Sequence, residues 1–484
     1  MVTKPYLELL AADELEAIHN ASLRVLQEVG LAIDSEKALK LLADAGCKVS
    51  FSEHTVKIQP ELVHELRKKL PASVRLYARE PESDLPLTDG EMYTRLSGNC
   101  LRVIDLQTGV GRLATTRDQE DFVKLSDALN NVNIISPPFA TCDVPPEIRD
   151  IYGAECVLRG TRKHAHLPAY SSKNLELIIE LASIVAGGAD KLAKRPIVSF
   201  FGCPERALYY GDVADMIMKA ASYNLPVGIL PTVVAGGTAP ITLAGMLVQS
   251  NAEVLCGALL VELTNPGTPV IYSTAPVNMN MKTGSPLLGT IEFGMMLAGI
   301  AQLARYYGFP SNVYGFGTDS KTLDEQTAFE KTFSLTLSAL SGANIIYGPG
   351  VLESDITQSF EQVVIDCELL DTVRRLRRGI TVDEQTLGLD VIGRVGPKGH
   401  YLRQEHTRNF LRTEYFFPEL SDRTTRATWE KTGSKTITVG ARERVRKLLA
   451  EHQTPELSNE VLSKMKTILR RAEKGIGQKA QRLR

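Results

Sequence analysis

The sequence predicts an α/β chain built on a (β/α)8 TIM-type barrel, with an N-terminal α+β layer and a C-terminal helical extension. Three observations carry this prediction. Short apolar runs rich in β-forming residues alternate with helical segments between residues 96 and 380. The steps recur every roughly 30 to 40 residues, the length of one strand–helix unit. One such unit is written without interruption: Pro231-Thr232-Val233-Val234-Ala235-Gly236-Gly237-Thr238-Ala239-Pro240 joins an apolar strand through a glycine turn to a long helix.

The elements follow in order. Residues 1–95 form a separate layer, with helical periodicity over 12–29 and 35–45 stopped by Gly30 and Gly46. Short strands at 56–58 and 74–77 flank a helix over 60–70. The barrel, 96–380, takes its strands from the runs at 101–105, 132–136, 165–170, 197–201, 227–231, 269–274, 311–316 and 344–347. Helical segments fall near 116–129, 146–159, 173–186, 206–222, 240–263, 288–307, 323–340 and 356–378. The first run also reads as a hairpin with 111–114. The extension, 381–484, is loop-rich over 391–426 and helical over 440–452 and 456–474. Its basic end, Lys474 to Arg484, reads as a solvated tail, with a docking arm for an acidic partner as the alternative.

Composition narrows the function. At 484 residues the chain exceeds the usual size of a single domain. With 55 basic and 57 acidic residues, its net charge of −2 offers no general attraction for nucleic acid or an anionic membrane. The N-terminus lacks the apolar core of a signal peptide, so a cytoplasmic protein is expected. The apolar helix near 240–263 carries Gln249, Asn251, Glu253 and Glu262, which suits a buried core helix better than a membrane span. Seven cysteines, an odd number without a Cys-x-x-Cys pair, argue against a disulfide framework or structural zinc and fit a reducing compartment. Cys203, beside Pro204 near a strand end, is the one candidate among them; an inert buried thiol is its ordinary reading.

In such a barrel the chemistry sits on loops leaving the C-terminal ends of the strands. Those loops are rich in Gly and Pro and poor in ionisable groups, unlike a site built for hydrolysis or proton transfer. His164 and His166 share one strand face, as in metal-dependent barrel hydrolases, but the later histidines His400, His406 and His452 lie beyond the barrel. A pocket-lining histidine pair is the favoured reading. Ala235 to Thr238 matches neither a Walker loop nor a dinucleotide fingerprint and serves as a turn before a helix. Tyr272, Tyr314, Phe316 and Tyr347 fall at or near successive strand ends, although only 6% of the chain is aromatic. A ring of aromatic faces can hold a quaternary ammonium, which has no N–H to donate; core filling is the alternative.

The 231–245 motif with Asn251-Ala252-Glu253, Leu263 to Val270, Gln302 to Pro310, Gly317-Thr318-Asp319-Ser320-Lys321, Gly342-Ala343-Asn344, His406-Thr407 and Leu23 to Gly30 together resemble the trimethylamine:corrinoid methyltransferase family. The resemblance implies a barrel enzyme that moves a methyl group from a methylated amine to the cobalt of a partner corrinoid protein. Trimethylamine-specific members carry pyrrolysine, whose region falls near Pro349 to Leu352. This chain contains only the twenty standard residues. It therefore resembles the branch that uses glycine betaine or related quaternary amines. The resemblance further implies a cognate corrinoid protein as partner, no tightly bound cofactor or metal in the chain itself, and a homo-oligomer. Under it, Tyr272, Phe316 and Tyr347 form the ammonium cage, and His166 and His406 hold a substrate carboxylate. Glu205, Asp319 and Lys321 shape the site, Glu205 equally fitting a helix cap and Asp319 and Lys321 equally fitting an ion pair or a helix start, and no residue is assigned a catalytic role. The alternatives are a metal-dependent hydrolase using His164 and His166, and a non-catalytic betaine- or corrinoid-binding scaffold.

Overall fold

Runs of Val, Ile and Phe at Val198–Gly202, Val227–Ile229 and Val270–Ser273 form strands buried along their whole length, as strands covered on both faces must be. In the computed structural model, which describes residues 7–69, 71, 73–204, 206–454 and 456–482, these belong to a closed eight-stranded barrel. Its strands are β1 (Tyr93–Arg95), β2 (Ile134–Ile135), β3 (His164–His166), β4 (Val198–Gly202), β5 (Val227–Ile229), β6 (Val270–Ser273), β7 (Ser311–Tyr314) and β8 (Ile345–Tyr347). All pair in parallel, in chain order, and β8 closes on β1. Side chains from the caps Thr290, Asp324 and Ser359 accept from backbone amides and start three of the surrounding helices.

The first strand corrects the sequence reading. It is Tyr93–Arg95, whereas Arg102–Ile104 pairs antiparallel with Gly111–Leu113 as a hairpin. That hairpin joins Val351–Leu352 and Thr357–Ser359 in a four-stranded sheet. Hydropathy hides β1 because its three residues are Tyr, Thr and Arg.

Inside the barrel, successive strand residues alternate between the interior and the surrounding helices. The N-terminal ends of the strands are closed by the antiparallel pair Val74–Leu76 and Leu85–Leu87. Its Val74, Leu76, Leu85 and Leu87 pack in one cluster with Ile134, Phe201, Ile271 and Ile345. Gly228 belongs to this packing: a Cβ there would lie 2.5 Å from the Phe201 ring. The larger core lies between strands and helices.

Helix Leu243–Thr264 is long and apolar enough to cross a membrane, yet 78% of its most apolar window is buried. Its polar residues are connectors. Asn251 donates to Ser22 Oγ and Tyr307 Oη and accepts from Tyr272 Oη. Glu253 accepts from the Leu208 amide and Gln249. The 391–426 stretch holds helix Glu405–Glu414 and most of Leu389–Val395, and helix Arg426–Lys431 begins at its last residue. The terminal helix Asn459–Arg482 takes in most of the basic tail, whose last two residues lie outside the described residues.

Candidate active site

Register sets one wall of the site. Tyr314 at the end of β7 pairs with Tyr347 of β8, and Tyr347 pairs with Arg95 of β1. In β8, Ile345 points into the apolar closure, so Tyr347, two residues on, points into the space above it. That space is a cavity of about 300 Å³ at the C-terminal ends of the strands. An aromatic belt surrounds it: Phe293 meets Tyr314 at 5.8 Å, Tyr314 meets Tyr347 at 4.7 Å, and His166 meets Phe201 at 4.3 Å between ring centroids. Thr232, Cys203 and the 275–277 loop complete the lining.

Arg95 is the cavity's cation. Its guanidinium carbon lies 4.2 Å from the Tyr347 ring centroid and 5.2 Å from that of Phe201. Nε donates to Asn312 Oδ1 at 3.2 Å, and Nη1 donates to Leu96 O and Ser136 Oγ. Burial lowers its pKa, but an arginine remains charged at any physiological pH.

Asp355 is the cavity's anion. Burial pushes its carboxyl up to about 6, against hydrogen bonds from Ser97 and Cys100 and the more distant Arg95 charge. Ser97 Oγ donates to both carboxylate oxygens, at 2.8 and 3.1 Å. Asp355 ends a run of three left-handed residues, Glu353 (φ 55), Ser354 (φ 51) and Asp355 (φ 72). Each such residue costs about 1–3 kcal/mol unless its surroundings impose it. Here they do: Glu353 N donates to Ser320 O, Ser354 N donates to Thr318 O, and Ser354 Oγ donates to Asp319 Oδ1.

Arg95 and Asp355 form no direct salt bridge, so two opposite charges face one small cavity. His166 Nδ1 is buried there without a hydrogen-bond partner, and the Tyr314 hydroxyl faces the Asp355 carboxylate. The site therefore presents a cation, a carboxylate, aromatic faces and one unsatisfied polar atom. That arrangement suits a small dipolar ligand. Larger clefts exist, one of about 460 Å³ among Arg374, Arg375 and Arg378 and one of about 680 Å³ beside Lys321. Their charged groups are already spent on backbone carbonyls and neighbouring carboxylates.

The model of the family described as "Trimethylamine methyltransferase (MTTB)" matches residues 1–477. The chain belongs to this family. With that membership it is a methyltransferase acting between methylated amines and a corrinoid partner protein. It is similar to trimethylamine methyltransferase MttB of Desulfitobacterium hafniense, 35% identical over 96% of this chain and 94% of that protein. The MttB of Methanosarcina barkeri is 33% identical over 97% and 96%. Glycine betaine methyltransferase of Desulfitobacterium hafniense is 32% identical over 98% and 99%. The crystal structure of the Methanosarcina barkeri monomethylamine methyltransferase MtmB shares the fold, with a TM-score of 0.54, 13% identity, and 93% and 89% of the two chains covered.

Within the family member, the anticipated residues divide clearly. Tyr347 and His166 line the cavity. Tyr272 does not: it is fully buried on the helix side, its hydroxyl on Asn251 and its ring stacked with Tyr307. The interior positions of β6 are Ile271 and Ser273, so Tyr272 misses by one residue. Phe316 follows the end of β7 and is buried in the core between strands and helices. His406 lies in helix Glu405–Glu414, where Nε2 meets Gln385 O, far from the cavity lining. Asp319 does not line the cavity, but its Oδ1 accepts from the Leu288 amide and from Ser354, two residues that do. Lys321 turns away, donating to Asp319 O beside the neighbouring cleft. Glu205 lies outside the described residues.

The hydrolase alternative loses its donor set. His164 shares the interior face with His166, as the spacing predicted, but its Nδ1 meets Tyr77 O at 2.6 Å beside the apolar closure. Among the described residues no group of three or more His, Cys, Asp or Glu could hold a metal ion. Sequence pattern signals neither Arg95 nor Asp355: Arg95 ends a polar strand at the boundary of the N-terminal layer, and Asp355 lies just past the Gly- and Pro-rich segment after the last strand. Asp355 is the single carboxylate among the described residues that line the cavity.

Proposed function

We propose that the methyl donor is a quaternary amine bearing a carboxylate, glycine betaine or a close relative. The observation that carries this reading is the separated pair Arg95 and Asp355 across one aromatic-lined cavity. The substrate carboxylate fits Arg95, with His166 Nδ1 available as a second donor in its N–H tautomer. The trimethylammonium fits the side held by Asp355, Tyr314 and Phe293. A tertiary amine without a carboxylate leaves Arg95 unpaired on binding, and burying an unpaired charge is costly.

The chemistry asks little of acids and bases. The partner's Co(I) supplies the nucleophile, the methyl carbon–nitrogen bond breaks, and its electron pair stays on nitrogen. A quaternary donor leaves as a neutral tertiary amine, so no group need protonate it. The chain's residues orient the substrate so that one methyl faces the cavity mouth, and they exclude water while it leaves. Asp355 opposes the reaction in one respect, because it stabilises a positive charge that disappears in the transition state.

The experiment is turnover with the reduced corrinoid protein and glycine betaine, trimethylamine or choline, read as methylcobalamin in the visible spectrum. Glycine betaine should be the best donor of the three. Arg95→Gln should lower kcat/KM for betaine by about 100-fold, the scale of a lost buried charge-assisted contact, and affect choline far less. Transfer from trimethylamine but not betaine defeats the proposal. Binding without any turnover favours the scaffold reading.

A further inference from the structure

Cys203, Thr232 and Ala275 to Val277 line the cavity from three successive loops, those leaving β4, β5 and β6. Backbone bonds join loop to loop. Thr232 N donates to Pro204 O, Ala235 N donates to Val277 O, and Val277 N donates to Val233 O. Helix Leu243–Thr264, which follows β5, joins this set to the barrel wall.

Gln249 and Glu253 lie four residues apart and share one face of that helix. Glu253 Oε1 accepts from the Leu208 amide at 2.9 Å and from Gln249 Nε2 at 3.0 Å. The second hydrogen of Gln249 Nε2 goes to Thr238 O at 2.7 Å, and Thr238 Oγ1 accepts from the Val234 amide. One carboxylate oxygen thus holds the end of the β4 loop directly and the β5 loop through Gln249. The hold falls where the backbone needs it. Leu208 is left-handed (φ 49), a conformation that persists only when the surroundings impose it. Its carbonyl accepts from Ala32 N, and Tyr209–Tyr210 then pairs with Leu31–Ile33 of the N-terminal layer.

Glu253 is 1% exposed, in a helix otherwise built for the core. Burial raises its carboxyl to about 7, against the hydrogen bonds from the Leu208 amide and Gln249. A carboxylate held there by dipoles costs stability that an apolar side chain would not, so the fold alone gives no reason for it. Both of its side-chain bonds lead instead to loops that shape the cavity. We propose that Glu253, acting with Gln249, is a positioning residue for methyl transfer: its carboxylate sets the spacing of the β4 and β5 loops, and with it the wall that holds the amine. The role is the same whichever methylated amine is the donor.

Two substitutions in the full chain separate position from packing. Glu253→Leu fills the space without an acceptor, whereas Glu253→Gln keeps Oε1. Turnover is read with the reduced corrinoid protein and whichever of glycine betaine, trimethylamine and choline the wild type uses fastest. Well below its melting temperature, Glu253→Leu should lower kcat/KM about 100-fold, the scale of a 1 Å misplacement, chiefly through a higher KM for the amine. Glu253→Gln should stay close to wild type. Hydrogen exchange of the free enzyme should quicken at Leu208 and over 234–239 in Glu253→Leu and return to the wild-type rate in Glu253→Gln; it decides alone if none of the three amines is a donor. Gln249→Ala serves if Glu253→Leu does not fold: exchange should quicken over 234–239 but not at Leu208, and kcat/KM should fall about tenfold, the weight of one neutral hydrogen bond. Wild-type kinetics in Glu253→Leu, an equal loss in Glu253→Gln, or unchanged exchange at Leu208 overturns the proposal. Unchanged exchange over 234–239 in Gln249→Ala does the same.

Discussion

The two ends of the barrel are built from the same strands by opposite means. At the closed end, the pair Val74–Leu76 and Leu85–Leu87 seals the interior with aliphatic contacts. At the open end the interior holds Arg95 and His166, both buried, and the partly buried Asp355. A few residues of rise along β1, β3 and β8 separate a layer that stabilises the fold from a layer that strains it. The contrast teaches where to look for chemistry: burial is common to both ends, and only buried charge distinguishes them.

The largest effect should come from breaking the charged scaffold behind the open end. Lys331 and Asp366 form a fully buried pair at 2.7 Å. Asp366 also accepts from the Gly350 amide and Gln362, fixing the turn that leads to Asp355. Lys331→Met should destabilise the protein by about 3–5 kcal/mol, because it leaves a buried carboxylate unpaired, and a denaturant titration measures it. Adding Asp366→Leu should recover only part of the loss, since the Gly350 amide still lacks its acceptor. The matching change at the closed end is Leu76→Ala, which should cost about 2–5 kcal/mol by opening a cavity. Its kcat/KM should stay within about twofold of wild type when both are measured well below melting. A large loss of activity there would erase the division between the two ends.

The sequence already displayed the barrel, because seven of its strands are apolar runs at regular spacing. The eighth escaped because Tyr93, Thr94 and Arg95 carry no such signal, and with it went the cavity's cation. Spacing also located aromatics at strand ends without saying which way they face. Tyr272 and Tyr347 look alike in sequence, yet one points at a helix and the other into the cavity, since a one-residue shift reverses a side chain. Asp355 depends on tertiary contacts: three left-handed residues hold it in place, and their partners Thr318, Asp319 and Ser320 lie more than thirty positions earlier. No local pattern announces that.

Asp355 offers the finest test of the contrast. Its carboxyl is raised from 3.8 to about 6 by burial, so the folded state holds the proton more tightly than the unfolded chain does. The stabilising contribution of the neutral acid is full below about pH 4 and is lost as pH rises through about 6. Asp355 should therefore lower stability across that window by up to roughly 3 kcal/mol, at 1.36 kcal/mol per pH unit, read as the difference between wild type and Asp355→Asn, in which the other buried carboxyls such as Glu253, raised to about 7 by burial, cancel. Binding should run the other way: a cationic substrate needs the charged form, so wild-type KM should climb as pH drops below 6. At pH 7.5 Asp355→Asn should raise KM about tenfold while kcat holds or increases, because the lost contact favoured the ground-state cation more than the transition state. A fall in kcat with unchanged KM would mean that Asp355 acts on the reacting bond itself, and the separation of binding charge from departing charge argued here would fail.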